Sequence, residues 1–145
     1  MKTTFTIFVL VIALMAGTTA YSQDRVYKDG TVWDLSIIKT TTGMGDTYIT
    51  NLKSTWKAVQ DEALKQGLIL SYKILAGTSA NEDDFDMLLM VEYKNLASME
   101  NNDDKWDAIY KKVVGDEATM QKLRDTRVNM RTIRGEKLMR EVVYK

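Results

Sequence analysis

The chain has 145 residues, with 20 Lys plus Arg against 20 Asp plus Glu, and it contains no His, Cys or Pro. The absence of His and Cys excludes Ser-His-Asp and Cys-His relays, thiol nucleophiles, zinc fingers, His- or Cys-ligated haem and disulfide bonds. The length suits one domain with its own core, and the balanced charge argues against nucleic acid as a partner.

The first 20 residues have the pattern of a secretory signal peptide. Lys2 precedes an apolar run from Phe5 to Ala16, and small residues lead to a cleavage site after Ala20. The run is shorter than the roughly 20 residues that span a bilayer. We therefore expect cleavage after Ala20, export to the periplasm or beyond, and no membrane span in the mature protein, whose net charge is −1 once Lys2 is removed. An uncleaved signal anchor is the alternative.

The next segments predict a strand, a helix and a hairpin. Residues 21–30 are polar and unpatterned, which predicts a flexible leader before a domain over residues 31–145. Val32–Thr40 alternates with a period of two and predicts a strand, and Asp46 is the expected N-cap of a helix that ends at Gly67. Strands are then predicted over 68–76 and 85–93, joined as a β-hairpin by a polar loop.

The rest of the chain completes an α+β order. Asn95 is expected to cap a helical region that the polar residues 101–104 break in two, and Asp116 to cap a third helix ending near Gly135. A final strand is predicted over 136–145. The resulting order, β-α-β-β-α-(α)-β, predicts a four-stranded antiparallel sheet with its helices on one face.

Both faces of the predicted strands carry apolar residues, so we expect a second surface to cover the face opposite the helices. The segments VEYKNLASME and RGEKLMREVVYK, at the end of the third strand and in the last strand, resemble the dimeric α+β barrel superfamily, and the resemblance covers about residues 31–145. It implies a ferredoxin-like fold and a homodimer that joins two open sheet faces into a barrel. Within that superfamily the chain looks like an uncharacterised secreted branch similar to antibiotic-biosynthesis monooxygenases.

The same superfamily includes haem-degrading monooxygenases, chlorite dismutases and muconolactone isomerases. Its haem-using branches need a histidine ligand, which this chain lacks, so we predict no cofactor. Its cofactor-free oxygenases hold aromatic substrates with Asn, Trp and Tyr groups. Trp33, Trp56 and Trp106 are available here, but their positions in apolar patterns favour core roles.

Polar residues on the predicted strands are the candidate ligand-binding residues. Charges that point into a closed barrel must pair, contact water or bind a ligand. Cross-strand pairing, or a position at the barrel rim, is the simpler alternative. We assign these residues to the face opposite the helices, and hence to the barrel lumen: Asp34, Ser36, Ser71, Lys73, Asp86, Glu92 and Arg140, with Glu141 in place of Arg140 in the other register.

A basic stripe is the second candidate site. Arg124, Arg127, Arg131 and Arg134 are spaced by 3, 4 and 3 on the predicted third helix, so they could bind a carboxylate, a phosphate or an acidic partner. A solvated, salt-bridged helix face is the alternative. The acidic loops over 81–86 and 102–107 lack the spacing of an EF-hand, so we predict no metal site.

Three functions follow from these observations. The first is an exported homodimeric barrel that binds a small apolar or aromatic ligand. The second is a cofactor-free monooxygenase or isomerase acting on an aromatic or polyketide-like substrate, with acid-base work by Asp34, Lys73, Glu92 or a Tyr. The third is an assembly or interaction subunit that docks another protein through its sheet face or its Arg stripe.

Overall fold

The structure, a computed structural model, describes residues 25–145. The predicted signal peptide and its cleavage site lie outside these described residues. No helix within residues 25–145 combines the length and the apolar character that crossing a membrane requires.

Four strands form one antiparallel sheet in the order β2-β3-β1-β4. This order, with its helical crossovers, is the ferredoxin-like α+β arrangement, and it confirms the predicted fold class. The elements are β1 (Tyr27–Thr40), α1 (Gly45–Ser54), α2 (Trp56–Lys65), β2 (Ser71–Ala76), β3 (Met87–Tyr93), a 3₁₀ helix (Leu96–Met99), α3 (Asp103–Val113), α4 (Glu117–Val128) and β4 (Arg131–Tyr144).

The two long strands, β1 and β4, extend beyond their predicted bounds. β1 begins at Tyr27, so residues 27–30 of the predicted leader belong to the sheet, and β4 begins at Arg131, before the predicted start at Glu136. The two strands pair from Tyr27 opposite Tyr144 to Thr40 opposite Arg131. This pairing supplies backbone hydrogen bonds to residues 27–30 and 131–135. Neither segment shows the hydrophobic alternation that predicts a strand, so the sequence pattern did not reveal them.

The first predicted helix is two helices, because the backbone breaks at Thr55. That residue has φ −121° and ψ −90°, and its hydroxyl donates to the carbonyl oxygen of Asn51 at 2.7 Å. A threonine hydroxyl that bonds the backbone one turn earlier competes with helix geometry. The first of the two helices starts after Met44, so Asp46 lies in its first turn and is not the predicted N-cap. The predicted end of the second helix at Gly67 is confirmed by the positive φ of +69° there.

The sheet has two unlike faces, which β3 defines by its alternation. Met87, Leu89, Val91 and Tyr93 are buried against the helices, and we call this the helix face. Core residues from α1, α2 and α3, among them Leu52, Val59 and Ile109, pack on it. We call the other surface the open face. It carries Leu88, Met90 and Glu92, together with the residues paired with them, which are Trp33, Leu35, Ile37, Ser71, Lys73 and Leu75.

Candidate functional site

A cavity of about 350 Å³ lies between the helix face of the sheet and helices α2 and α3. Its volume is within the range of sites that take small organic molecules. Its lining combines aromatic and aliphatic side chains with several polar groups. We call it the helix-side cavity, and the residues lining it are Asp34 and Ser36 of β1, Trp56 and Gln60 of α2, Leu89, Val91 and Tyr93 of β3, and Asp103, Trp106 and Tyr110 of α3.

Gln60 is the most unusual of these residues, because it is a polar side chain buried without a partner. It is only 4% exposed, and its Oε1 atom forms no hydrogen bond to any part of the chain between residues 25 and 145. Buried polar atoms in proteins are almost always hydrogen-bonded, since an unpaired one carries the full cost of leaving water. Gln60 therefore carries an unused acceptor atom on a side chain that lines the helix-side cavity.

Asp34 places a carboxylate in the same cavity. Burial raises the pKa of Asp34 above its ordinary value, and the negative charge of Glu136 raises it further. In the described part of the chain Asp34 has neither an ion-pair partner nor a hydrogen-bond donor. Desolvation without a compensating contact explains the direction of the shift, and it leaves the carboxylate available to a ligand.

Two tyrosines add hydroxyl groups that stay protonated at neutral pH. Burial raises the pKa of Tyr93 to about 12, with the charge of Asp34 adding to the effect. Burial also raises the pKa of Tyr110, against the opposing charge of Arg127. Both phenols can therefore donate as well as accept hydrogen bonds.

Trp56 forms a fixed part of the wall. Its ring meets the ring of Tyr72 edge to face, with centroids 5.6 Å apart and planes at 86°, and the Tyr72 hydroxyl donates to Asp61. Aromatic pairs in this geometry hold each other in place. This contact therefore fixes the Trp56 side of the cavity without a ligand.

The predicted lumen residues do not share one face, which corrects our expectation. Asp34 and Ser36 pair with Val91 and Leu89, so they lie on the helix face, and Trp33 lies on the open face with Leu35 and Ile37. Alternation shows which residues share a side of a strand but not which side the helices cover. Only Asp34 and Ser36 of the predicted set line the helix-side cavity.

The remaining members of that set lie in three other places. On the open face, Ser71 donates to Glu92 at 2.5 Å and Lys73 Nζ lies 5.0 Å from the centre of the Trp33 ring. Asp86 lies before β3, where it binds the end of β1 at Thr40. Arg140 of β4 pairs with Asp29 at 2.6 Å.

The predicted Arg stripe is divided between two elements, because α4 ends at Val128. Arg124 and Arg127 lie on α4, whereas Arg131 and Arg134 lie on β4. On α4, Arg124 pairs with Glu117, and Arg127 donates to Asn51 Oδ1 at 3.1 Å. On β4, Arg131 donates to the Tyr48 hydroxyl at 3.0 Å, and Arg134 donates to the carbonyl oxygen of Glu82 at 3.3 Å. A continuous basic helix face is therefore not formed.

No group of three or more acidic side chains within residues 25–145 has the arrangement of a metal site. Polar side chains in each of the two acidic loops form local hydrogen bonds instead. Asp84 accepts from the backbone nitrogen of Ala80 at 2.8 Å, and the Asn102 amide oxygen accepts from Lys105 Nζ at 3.0 Å.

Sequence reasoning missed four members of the cavity: Gln60, Tyr93, Asp103 and Tyr110. One signal for Gln60 was present, because it lies four residues after Trp56 and three before Ala63, on the apolar side of its helix. A polar residue at such a position has to meet a partner or a cavity. The two tyrosines and Asp103 gave no comparable signal, since tyrosine in apolar stripes and aspartate at a helix start are ordinary.

Comparisons with known proteins add little to this geometry. No protein-family model and no curated protein matches the chain. Among solved structures, the chain is similar to a dimeric ferredoxin-like protein from an uncultured marine organism, with 14% identity, a TM-score of 0.45, and coverage of 81% of this chain and 90% of that one. An identity and a TM-score this low carry no information about the function of the helix-side cavity.

Proposed function

We propose that the protein is a small-molecule-binding domain and that its site is the helix-side cavity. The observation that carries the proposal is the unpartnered Oε1 atom of buried Gln60 at the cavity wall. A ligand that donates a hydrogen bond to this atom would remove the cost of burying it. The aromatic walls favour a ligand with a flat apolar body.

This proposal moves the ligand from the barrel lumen to the space beneath the helices. Glu92, the carboxylate on the open face beside Ser71, supports the change because its acceptors are already used. Glu92 accepts hydrogen bonds from Thr31 at 2.8 Å and from Ser71 at 2.5 Å. Gln60 Oε1 and the Asp34 carboxylate have no hydrogen-bond partner within residues 25–145, and both side chains line the helix-side cavity.

The test uses two probes, 1-naphthalenemethanol and its methyl ether, in which a methyl group replaces the hydrogen-bond donor. By isothermal titration calorimetry at pH 7, we expect the alcohol to bind about five to ten times more tightly, as one additional hydrogen bond predicts. Gln60→Leu should remove this preference. Gln66→Leu, at an exposed position just past the same helix, should retain it. Absence of binding by both probes, or an unchanged preference in Gln60→Leu, would contradict the proposal.

A second candidate function, proton transfer in an isomerase, is favoured by the raised pKa of Asp34 in a cavity large enough for a substrate. Of the acid-base groups predicted from the sequence, Lys73 and Glu92 lie on the open face and cannot act with Asp34. The test is exchange of the C1 hydrogens of 2-tetralone with deuterium oxide, followed by NMR. Catalysed exchange that disappears in Asp34→Asn would favour the enzyme; uncatalysed rates in the wild type would exclude this chemistry for that probe.

We also propose that the protein is a homodimer joined through the open face. Trp33, Leu35, Ile37, Leu88 and Met90 form an apolar centre on that face, and the helices pack on the other one. A second copy would bury these residues around a two-fold axis, as homodimers commonly do. The polar contacts of Glu92 would then lie near the edge of the interface, already satisfied within each subunit.

Finally, we propose that the chain is exported and cleaved after Ala20. The sequence pattern supports this proposal, and the position of β1 is compatible with it, since the first strand begins at Tyr27, after the expected cut. Expression of the full chain in a bacterial host, with mass spectrometry of the periplasmic and secreted fractions, should give a product that begins at Tyr21. An intact N-terminus in the membrane fraction would indicate an uncleaved anchor instead.

A further inference from the structure

We propose that the ligand of the helix-side cavity is an organic cation, a primary ammonium group carried on an apolar body. This inference rests on the proposed function and specifies the chemical class of the ligand. It is drawn from the charges, hydrogen-bonding groups and rings that line the cavity.

The two charged residues that line the cavity are both acidic. Asp34 and Asp103 line it, and no Lys or Arg does so among the described residues. Glu136 adds a third carboxylate from the edge of the sheet, where it lies directly opposite Ser36 on the neighbouring strand. An anionic ligand in the cavity would be repelled by these carboxylates, whereas a cation would be attracted by them.

Hydrogen-bonding capacity in the cavity favours a ligand that only donates. The Oε1 atom of Gln60 is an acceptor without a partner, and Asp34 is a carboxylate without a donor in the described structure. An ammonium group carries three donors and no acceptor, so one such group can serve both residues. A hydroxyl group supplies a single donor, and a carboxylate supplies none.

Aromatic rings provide the rest of the recognition. Trp56, Trp106, Tyr93 and Tyr110 all line the cavity, in a chain that has only three tryptophans. Tryptophan and tyrosine rings attract cations through the negative potential of their faces, and sites built from several such rings recognise ammonium compounds. The same rings cover the apolar body of the ligand.

One cationic residue, Arg127, acts on Tyr110 at the wall of the helix-side cavity. Arg127 raises the positive potential around Tyr110, but it lines a different cavity of about 720 Å³, between α3 and α4, and not the helix-side cavity. Its guanidinium is held toward α1 by the hydrogen bond to Asn51. An anionic ligand that reached Arg127 is the competing possibility, and the experiment separates it from a cation.

The test compares three probes that share one ring system: 1-naphthylmethylamine, which is an ammonium at pH 7, 1-naphthalenemethanol, and 1-naphthoate. By isothermal titration calorimetry with the mature protein at pH 7, we expect the ammonium to bind at least tenfold more tightly than the alcohol, and the naphthoate to bind most weakly. Asp34→Asn should reduce the preference for the ammonium to about twofold or less. Asp107→Asn, an equal change of charge at an exposed position of α3 outside the cavity, should preserve it.

A second measurement does not depend on a variant. The titratable groups around Asp34 come from three elements. Glu136 lies on β4 and Tyr93 on β3, and Asp103 and Tyr110 of α3 line the same cavity. Helix α2 contributes only the neutral Trp56 and Gln60. Because protonation of Asp34 removes the charge that attracts the ligand, the wild-type affinity for the ammonium should fall between pH 7 and pH 4 while that for the alcohol changes little.

The outcomes distinguish the two proposals. Equal affinity for the ammonium and the alcohol, or tighter binding of the naphthoate, would overturn the cation inference and leave the cavity as a binding site. If the ammonium preference persisted in Asp34→Asn and at pH 4, the cation would be bound elsewhere and the inference would also fail. If all three probes failed to bind, both the inference and the proposed function would be wrong.

Discussion

Asp86 accepts two hydrogen bonds from Thr40, one from the backbone nitrogen at 2.9 Å and one from the hydroxyl at 2.7 Å. The backbone nitrogen of Asp86 in turn donates to the carbonyl oxygen of Ile38 at 3.0 Å. These contacts fasten the start of β3 to the end of β1. They make Asp86 a structural residue of the sheet and remove it from the set of candidate ligand-binding residues.

We predict that Asp86→Ala lowers the free energy of unfolding by about 1–3 kcal/mol, because hydrogen bonds to a charged acceptor are lost and the Thr40 donors are left without it. Urea denaturation measures the change. The control is Asp83→Ala, a nearby exposed aspartate whose side chain makes no hydrogen bond in the described structure, and it should stay within about 0.5 kcal/mol of the wild type. Equal effects of the two substitutions would show that the Thr40 contacts contribute nothing.

Gly30 is required by the close approach of β1 and β4. A β-carbon at this position would lie 2.9 Å from the Glu141 β-carbon and 3.0 Å from a methyl group of Val143. We predict that Gly30→Ala destabilises the fold by about 1–3 kcal/mol, since the strands must separate to admit the methyl group. Gly77→Ala is the matched control, because a β-carbon there would have no neighbour within 4 Å. A stability of Gly30→Ala equal to that of the control would disprove the steric argument.

Asp34 should reduce stability at neutral pH. Its pKa is raised in the folded state, so between the ordinary pKa of 3.8 and the raised value the folded protein binds more protons than the unfolded chain. The free energy of unfolding therefore decreases as the pH rises from 3.8 to the raised pKa of Asp34, and the whole decrease is present at higher pH. Asp34→Asn should accordingly be more stable than the wild type at pH 7.

The check on Asp34 is denaturation of both proteins at pH 7 and pH 3, together with an NMR titration of the Asp34 carboxyl carbon. At pH 3, where the carboxyl group is protonated in both folded and unfolded chains, the two proteins should differ little. A destabilised Asp34→Asn at pH 7 would mean that Asp34 forms a favourable contact in the free protein, contrary to the structure.

Leu75 tests the proposed homodimer, because it lies on the open face at the edge strand β2, opposite Leu88, and is 51% exposed. Analytical ultracentrifugation at micromolar concentration should show a dimer for the wild type. Leu75→Lys should weaken the dimer at least tenfold, since the charge would be buried at the interface. Leu64→Lys, at a position that is 43% exposed on α2, should leave it intact. A monomeric wild type would contradict the proposal.

Local chemistry was readable from the sequence at several helix ends. Asn95 and Asp116 cap the helical segments that follow them, with the Asp116 side chain accepting from the Thr119 nitrogen at 2.9 Å. Gly67 ends α2 with the positive φ that glycine adopts at little cost. The order of strands and helices, and with it the α+β class, followed from such signals and from periodicity.

The tertiary structure alone decided which face of each strand meets the helices. Apolar residues occupy both sides of β1, so alternation could not show that Asp34 and Ser36 lie beneath the helices while Trp33 lies on the open face. The early start of β4 depends on backbone hydrogen bonds to β1, a strand that is distant in sequence. Which polar groups lie together is a property of packing, and Gln60 of α2 and Asp34 of β1 line one cavity only in the folded chain. The sequence determined the order of the strands and helices, and the packing of the helices on one face of the sheet created the helix-side cavity.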